Sequence, residues 1–206
     1  GWVHAEYSLL PGSTDSRFRR ERRGAKGRTQ EIERLVARSL RAAVDLEELG
    51  PIALNVDCDI LNADGGTRCA SITAANLALR LGVRRLIAAG ICLPQNMRPT
   101  EEQRRSGWSA PVLSGDEKKA HEMRVMPHDV AAISVGLIDG KSYLDLDYNL
   151  DSNADVDMNV VKVSDGSFVE VQGTGEEATY QREELDALLD MADIGFSSLF
   201  EMQKSI

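Results

Sequence analysis

The order of apolar and polar residues predicts a helix, a strand and a second helix in the N-terminal part of the chain. Between residues 32 and 44, apolar side chains recur every three or four positions, which is typical of an amphipathic helix, and Gly50 with Pro51 marks its end. Between 52 and 60, apolar residues alternate with polar ones, as in a strand with one buried face. A glycine-containing loop at 63–66 then leads into an apolar helix at about 68–81.

The C-terminal part predicts two hairpins and a long helix. Asp139-Gly140 is a dipeptide typical of a tight hairpin turn, and residues 164–166 form a second turn between two β-rich runs. The expected elements are strands at 130–138, about 142–148, 158–163 and 167–172, followed by a helix at about 180–203.

These elements neither alternate strictly nor segregate, so the predicted fold class is α+β, with a mixed β-sheet packed with helices. A length of 206 residues predicts one domain spanning 1–206. The periodic pattern is lost between about 84 and 127, where prolines accompany charged residues. That stretch is too long for an ordinary loop, so we expect a surface insertion there.

Charge is distributed unevenly along the chain. The formal net charge of -9 argues against a polyanionic partner, yet between residues 17 and 28 only one acid, Glu21, accompanies seven basic residues. This arginine segment is the part of the chain suited to phosphates, although such segments also occur as plain surface loops or pair with an acidic neighbouring subunit. Its basic residues are Arg17, Arg19, Arg20, Arg22, Arg23, Lys26 and Arg28.

The cysteines and the hydropathy of the chain indicate the cellular compartment. The three cysteines are odd in number and lack C-x-x-C spacing, so they predict neither a disulfide framework nor a zinc site and favour a reducing, cytoplasmic setting. The longest apolar run, 86–93, is much shorter than the roughly 18 residues that would cross a bilayer. We therefore expect no membrane association.

The turn Gly65-Gly66-Thr67-Arg68 lies between the predicted strand and helix, where it can bind an anion. Glycines allow the backbone to approach a ligand, and the free amides and dipole of the first helical turn favour negative charge. Thr67 and Arg68 add a hydroxyl donor and a forked cation. The alternative is an ordinary tight turn with a surface arginine.

An acidic stretch at 145–157 is the second candidate. Every aspartate in it has an odd number, so a continuous strand would align five carboxylates on one face, a row that repels itself unless it is solvated or holds a metal ion. The alternative is a solvated strand interrupted by a loop near 149–155.

A third motif, at 173–178, matches the dinucleotide fingerprint G-x-G-x-x-A. Glu176 and Glu177 would stand where the pyrophosphate binds, and the preceding strand belongs to a hairpin. A dinucleotide site is therefore disfavoured.

Taken together, several ordered motifs closely resemble the ribonuclease PH family of phosphate-dependent 3′-to-5′ exoribonucleases. They include ADGGTR at 63–68, DMNVV at 157–161 and EVQGT at 170–174. The resemblance covers nearly the whole chain except about 84–127. It is also carried by residues 1–3, 5–11, 27–29, 31–32, 34–35, 57–61, 70–73 and 151–152.

The resemblance implies a β-α-β-α fold assembled as a hexameric ring, a trimer of dimers. It implies phosphorolysis of RNA 3′ ends, as in processing of tRNA precursors and rRNA, with release of nucleoside diphosphates, and the reverse reaction as a nucleotidyltransferase. Gly66, Thr67 and Arg68 would hold the attacking orthophosphate, with Arg28 contributing to the same site. The RNA-facing segment would be Arg17, Arg19, Arg20, Arg22 and Arg23.

Asp151 and Asp157 would form the acidic pair at the scissile linkage. In-line displacement needs a general acid or a metal ion at the leaving oxygen, so we assign Asp157 as the acid and Asp151 as the carboxylate associated with magnesium or manganese, two roles that could be exchanged. The competing hypothesis is a non-catalytic, RNA-binding ring subunit of an exosome-like assembly.

The family normally has several dozen residues before Gly1. We therefore expect that residues 1–206 expressed alone assemble poorly and have little activity, because strands of the sheet would be missing.

Overall fold

The computed structural model describes residues 1–175 and 178–206. The first sheet has two parallel strands, β1 (Trp2–Leu9) and β2 (Ala53–Ile60), paired in register from Trp2 opposite Ala53 to Leu9 opposite Ile60. Side chains on one face of β1 are buried, among them Val3, Ala5 and Tyr7. No strand was predicted before residue 52, although the apolar residues of β1 alternate with polar ones as in a strand with one buried face.

The first predicted helix is divided in two. Helix α1 (Gly27–Ala43) ends before Asp45, whose carboxylate accepts hydrogen bonds from the backbone N–H groups of Glu47 and Glu48 and caps a short helix, α2 (Leu46–Leu49). Gly50, at φ +79°, ends α2, so the predicted stop is correct although the helix is not continuous.

The segment between about 84 and 127 is largely helical. Helix α3 (Thr67–Ala88) runs further into it than predicted, and it also contains α4 (Glu101–Arg105), α5 (Gly115–Val125) and a 3₁₀ turn at Gln95–Met97. Several of its side chains join the core, so the segment is not confined to the surface. The buried ones are Ile87, Cys92, Leu93, Leu113, His121, Val125 and Met126. The single-domain interpretation stays a prediction.

The second sheet is antiparallel and confirms both predicted hairpins. Its strands are ordered β4-β3-β5-β6, and Asp139 and Gly140 both have positive φ in the turn between β3 and β4. Strand β4 is shorter than expected because the chain turns at Asp145. The strands are β3 (Val130–Ile138), β4 (Lys141–Leu144), β5 (Val156–Val163) and β6 (Phe168–Gly175).

The elements stack in four layers. Helices α1 and α3 pack between the two sheets, and α7 (Arg182–Lys204) covers the other face of β3 and β4, after α6 (Tyr148–Asp151) in the β4–β5 connection. Alternate residues of β3 therefore enter two cores: Val130 and Ala132 face α1 and α3, whereas Ile133 and Val135 face α7. The α+β class with a β-α-β-α arrangement is confirmed, with the parallel and antiparallel pairs in separate sheets.

Two sequence predictions concern other regions. Residues 176–177 lie outside the described residues, so the structure does not test the dinucleotide-like motif at 173–178. Within the described residues, the helices are too short or too polar to span a bilayer.

Candidate active site

The glycine-rich turn, residues 63–66, joins β2 to α3 as predicted. Gly66 caps α3 in the left-handed conformation, with φ +65° and ψ +21°, which places Thr67 in the first helical turn. Gly65 packs so tightly against the β4–β5 connection that a Cβ there would overlap the backbone carbonyl oxygen of Leu146. The turn needs glycine at both positions, at Gly66 for conformation and at Gly65 for close approach.

One carboxylate ties the glycine-rich turn to the acidic loop, defined here as residues 145–155. Oδ1 of Asp64 accepts the backbone N–H of Gly65 at 3.0 Å and that of Tyr148 at 2.6 Å. The two candidate motifs, about eighty residues apart in sequence, are therefore joined through a single side-chain oxygen. A bifurcated, charge-assisted contact of this kind holds the two backbones in a defined relation.

Thr67 is oriented from the first sheet. Its hydroxyl lies 2.8 Å from the hydroxyl of Tyr7, which is buried on β1. Tyr7 also lines a cavity of about 520 Å³ together with Arg20, Arg22 and Arg28 of the arginine segment. Arg28, exposed in the first turn of α1, therefore shares a cavity with the tyrosine whose hydroxyl contacts Thr67.

Arg68 has two partners from distant elements. Its Nη1 donates to Oε1 of Gln172 at 3.0 Å and lies 3.6 Å from Oε1 of Glu31, and the Gln172 amide donates to the same Glu31 oxygen at 3.1 Å. The Arg68 side chain is 17% exposed. Glu31 lies three positions after Arg28, on the same side of α1. That Arg28 and Arg68 share one phosphate site stays a prediction.

The acidic stretch is a loop and not a row of carboxylates on one strand. Asp145 has φ +55° and turns the chain out of β4, Asp147 caps α6 through the Leu150 N–H, and Asp151 ends α6. Asp157 lies on β5, between Gly136 and Thr174 of the neighbouring strands. The loop alternative is thus the observed one, and it places Asp151 and Asp157 on different elements.

The pKa of the Cys69 thiol depends on its burial and on the charged groups around it. Burial raises the pKa of Cys69, the Arg68 guanidinium lowers it, and the carboxylates of Asp157, Asp145 and Asp151 raise it further. Cys69 donates to Oδ1 of Asn159 on β5 at 3.0 Å. The charges of both candidate aspartates and of the candidate phosphate-binding arginine therefore all act on a thiol in the first turn of α3.

The arginine segment borders the site without regular structure up to α1. Its arginines are exposed, and two cavities divide them: Arg20 and Arg22 line the one with Tyr7, whereas Arg17 and Arg19 line a second, of about 760 Å³, with Asp64 and Tyr148. Arg23 is exposed as well. Of the predicted RNA-binding residues, Arg17 and Arg19 thus border the glycine-rich turn and the acidic loop.

The side chains of the site that could ligate a metal ion suit a divalent cation only in part. Across residues 1–175 and 178–206, no group of three or more histidine, cysteine, aspartate or glutamate side chains is placed to hold a metal ion. Mg²⁺ is commonly held by one or two carboxylates together with substrate phosphates and water. The assignment of Asp151 and Asp157 to such a cation therefore stays a prediction.

Comparison with known proteins decides the family. Sequence models of the 3′ exoribonuclease family match residues 1–82 as domain 1 and residues 128–195 as domain 2. Ribonuclease PH of Synechococcus sp. (strain CC9605) is 46% identical over 204 residues, and that of Rhodopirellula baltica is 48% identical over 206 residues. The chain belongs to the 3′ exoribonuclease family. The predicted family, and with it the class of phosphate-dependent exoribonucleases, is confirmed.

These relatives of the 3′ exoribonuclease family are longer than the chain. The alignments cover 99% and 100% of the chain but 71% and 74% of the relatives. Residues 83–127 lie between the two matched domains of the family, in the segment predicted as an insertion.

Solved structures share the fold of the 3′ exoribonuclease family at low identity. Rice (Oryza sativa) Rrp46 matches with a TM-score of 0.65 and 12% identity, over 98% of this chain and 71% of its own. The Archaeoglobus fulgidus exosome with RNA bound to the active site matches with a TM-score of 0.59 and 20% identity, over 93% and 66%. These likenesses establish the fold alone and do not favour a non-catalytic subunit.

Sequence reasoning did not single out three residues at this site. Tyr7, Glu31 and Gln172 orient Thr67 and Arg68, yet each lies at least 37 residues from its partner. All three belong to stretches that carried the resemblance to the 3′ exoribonuclease family, and that was the only available signal.

Proposed function

We propose that the chain shortens RNA from its 3′ end with orthophosphate as the nucleophile, releases nucleoside diphosphates, and runs the reverse reaction as a nucleotidyltransferase. The observation that carries this is the contact of Asp64 with both Gly65 and Tyr148, which joins an anion-binding turn to an acidic loop. Phosphoryl transfer needs both parts close together, because the nucleophile must be aligned while the leaving oxygen is neutralised.

In this proposal, orthophosphate binds at the first turn of α3. The backbone N–H groups after Gly66, the Thr67 hydroxyl and the Arg68 guanidinium donate to its oxygens, and Arg28 adds a second cation. The carboxylate of Glu31 lies 3.6 Å from Nη1 of Arg68. An incoming phosphate dianion would compete with Glu31 for the same guanidinium.

Asp157 and Asp151 act at the other side of the scissile linkage. Asp157 is proposed to donate a proton to the leaving 3′ oxygen, and Asp151 is proposed to hold Mg²⁺ or Mn²⁺, which would stabilise charge on the phosphoryl oxygens. The two roles can be separated by experiment. The variant, Asp151→Asn or Asp157→Asn, that raises the Mg²⁺ concentration required for half-maximal activity identifies the metal ligand.

The arginine segment is proposed to bind the RNA backbone. Exposed arginines at 17–23 flank both cavities at the site and supply charge without base specificity. We further propose tRNA precursors as substrates, a hexameric ring and a cytoplasmic location. The last is supported by three cysteines that form no disulfide.

The test is decay of 3′-labelled and 5′-labelled single-stranded RNA with and without orthophosphate. We expect nucleoside diphosphates, formed only when phosphate is present. Equal release of nucleoside monophosphates without phosphate would contradict the proposal, and RNA binding without decay would favour the non-catalytic subunit.

A variant pair separates binding from chemistry in the same assay. Asp157→Asn should bind RNA as the unmodified protein does and fail to cleave it. Asp190→Asn, an exposed aspartate on α7, is the matched control and should change neither property.

A further inference from the structure

The cavity between the arginine segment and the acidic loop has a composition that the phosphate site does not explain. It measures about 760 Å³, within the range of roughly 300–1,000 Å³ found for small-ligand pockets. Two aromatic side chains, Phe18 and Tyr148, are among its lining residues. Two arginines, Arg17 and Arg19, and two aspartates, Asp15 and Asp64, line it, so positive charge alone does not define the ligand of this cavity.

Tyr148 is held by its backbone while its ring remains in solvent. Its N–H donates to Asp64 at 2.6 Å, and its carbonyl oxygen accepts from the N–H of Ser152 at 3.0 Å, yet the residue is 66% exposed. A large exposed aromatic on an anchored turn keeps a flat apolar face available to a ligand. Tyr148 also precedes Asp151 by three positions on α6, so the two residues lie on the same side of that turn.

Phe18 enters the same cavity from the arginine segment. Its backbone N–H donates to the carbonyl oxygen of Pro11 at 3.0 Å, which anchors this part of an otherwise irregular stretch, and its ring is only half-buried. It lies between Arg17 and Arg19, whose guanidinium groups can contact a nucleotide's phosphates or stack on its base. Aromatic faces combined with arginines are the arrangement that binds single-stranded nucleic acid without reading its sequence.

We infer that Tyr148, with Phe18, is a stacking platform for one base at the single-stranded 3′ end of the RNA. This rests on the proposed function, because it places that base beside the acidic loop where the linkage would be cut. Stacking accepts every base, since each has a π-face, and it requires that the base be unpaired. A 3′ end held in a duplex would not occupy the platform.

The experiment measures the dissociation constant of fluorescent RNA in the absence of orthophosphate. It compares the intact RNA with three oligonucleotides, each of which carries a single abasic residue at one of the last three positions. Tyr148→Ala should weaken binding of intact RNA about thirtyfold, near the middle of the range for removal of a base–aromatic stack. Tyr148→Phe should bind normally. Tyr143→Ala is the matched control, because Tyr143 is an exposed tyrosine of β4 that does not line this cavity.

A double-variant cycle identifies the stacked base. An abasic residue at one position should weaken binding to the unmodified protein as much as Tyr148→Ala does, and the two changes together should cost no more than either alone. The inference would be overturned if the losses of RNA affinity from Tyr148→Ala and from the abasic residue multiply at all three positions. Normal binding by Tyr148→Ala would overturn it as well. Failure of the proposed function is a different result, namely RNA decay that does not depend on phosphate, and the binding cycle does not use that reaction.

Discussion

Gly65 is the position at which we expect a single methyl group to disrupt the site. A Cβ at Gly65 would overlap the carbonyl oxygen of Leu146 and lie 2.9 Å from the carbonyl carbons of Leu146 and Asp147. These are backbone atoms, so no side-chain rotation relieves the overlap. The adjacent Gly66 is the matched control, because a Cβ there meets only the Ser134 Cβ, at 3.6 Å, although φ is +65°.

The magnitude follows from these distances. Heavy atoms in contact need about 3.5 Å, so Gly65→Ala must move the acidic loop by about 1.5 Å from the glycine-rich turn. This shift would carry Asp151 away from Thr67 and Arg68. A misplacement of about 1 Å can cost about a hundredfold in rate, or about 2.7 kcal/mol in activation free energy. Gly66→Ala should instead lower the free energy of unfolding by about 1–2 kcal/mol, the cost of a left-handed alanine.

The assay is kcat for phosphorolysis at saturating RNA and orthophosphate, with thermal unfolding of each variant followed by circular dichroism. We expect Gly65→Ala to remain folded and to lose about a hundredfold in kcat, whereas Gly66→Ala keeps kcat within about tenfold. A folded Gly65→Ala variant with unmodified kcat would refute the reasoning. Equal losses in both variants would show that turn conformation, and not the contact with Leu146, controls the rate.

Three further predictions concern charge. Arg68→Ala should lower kcat/KM for orthophosphate by about 30- to 1,000-fold, the loss of one charge-stabilising donor, and exposed Arg182→Ala should not. Replacing the five arginines at 17–23 with glutamine should flatten the salt dependence of RNA affinity by roughly 0.7 in slope for each RNA phosphate that these side chains neutralise, and an unchanged slope would assign them to subunit contacts. Burial and the Arg124 guanidinium lower the pKa of His121, so the folded state favours the neutral ring. The free energy of unfolding should therefore fall as pH drops below about 6.5, more steeply than in His121→Gln, when urea unfolding is compared between pH 7.5 and 5.5.

Local patterns predicted the elements that depend on near neighbours. The Asp139-Gly140 hairpin, the glycine-rich turn before α3 and the long C-terminal helix were all expected where they occur, because turn chemistry and helical periodicity act over a few residues. The interruption of the first helix at Asp45 was missed, since its apolar pattern continues across the break.

The sequence by itself therefore determined the turns, the periodic elements, the resemblance and the residues able to bind phosphate or act as acids. Only the tertiary structure decided that β1 pairs with β2, that Tyr7 reaches Thr67, and that Arg68 meets Gln172 across 104 positions. It also decided that the acidic stretch turns at Asp145 instead of continuing β4. The physical reason is that such contacts form when α1 and α3 pack between the two sheets, and this packing brings together groups whose distance in sequence carries no periodic signal.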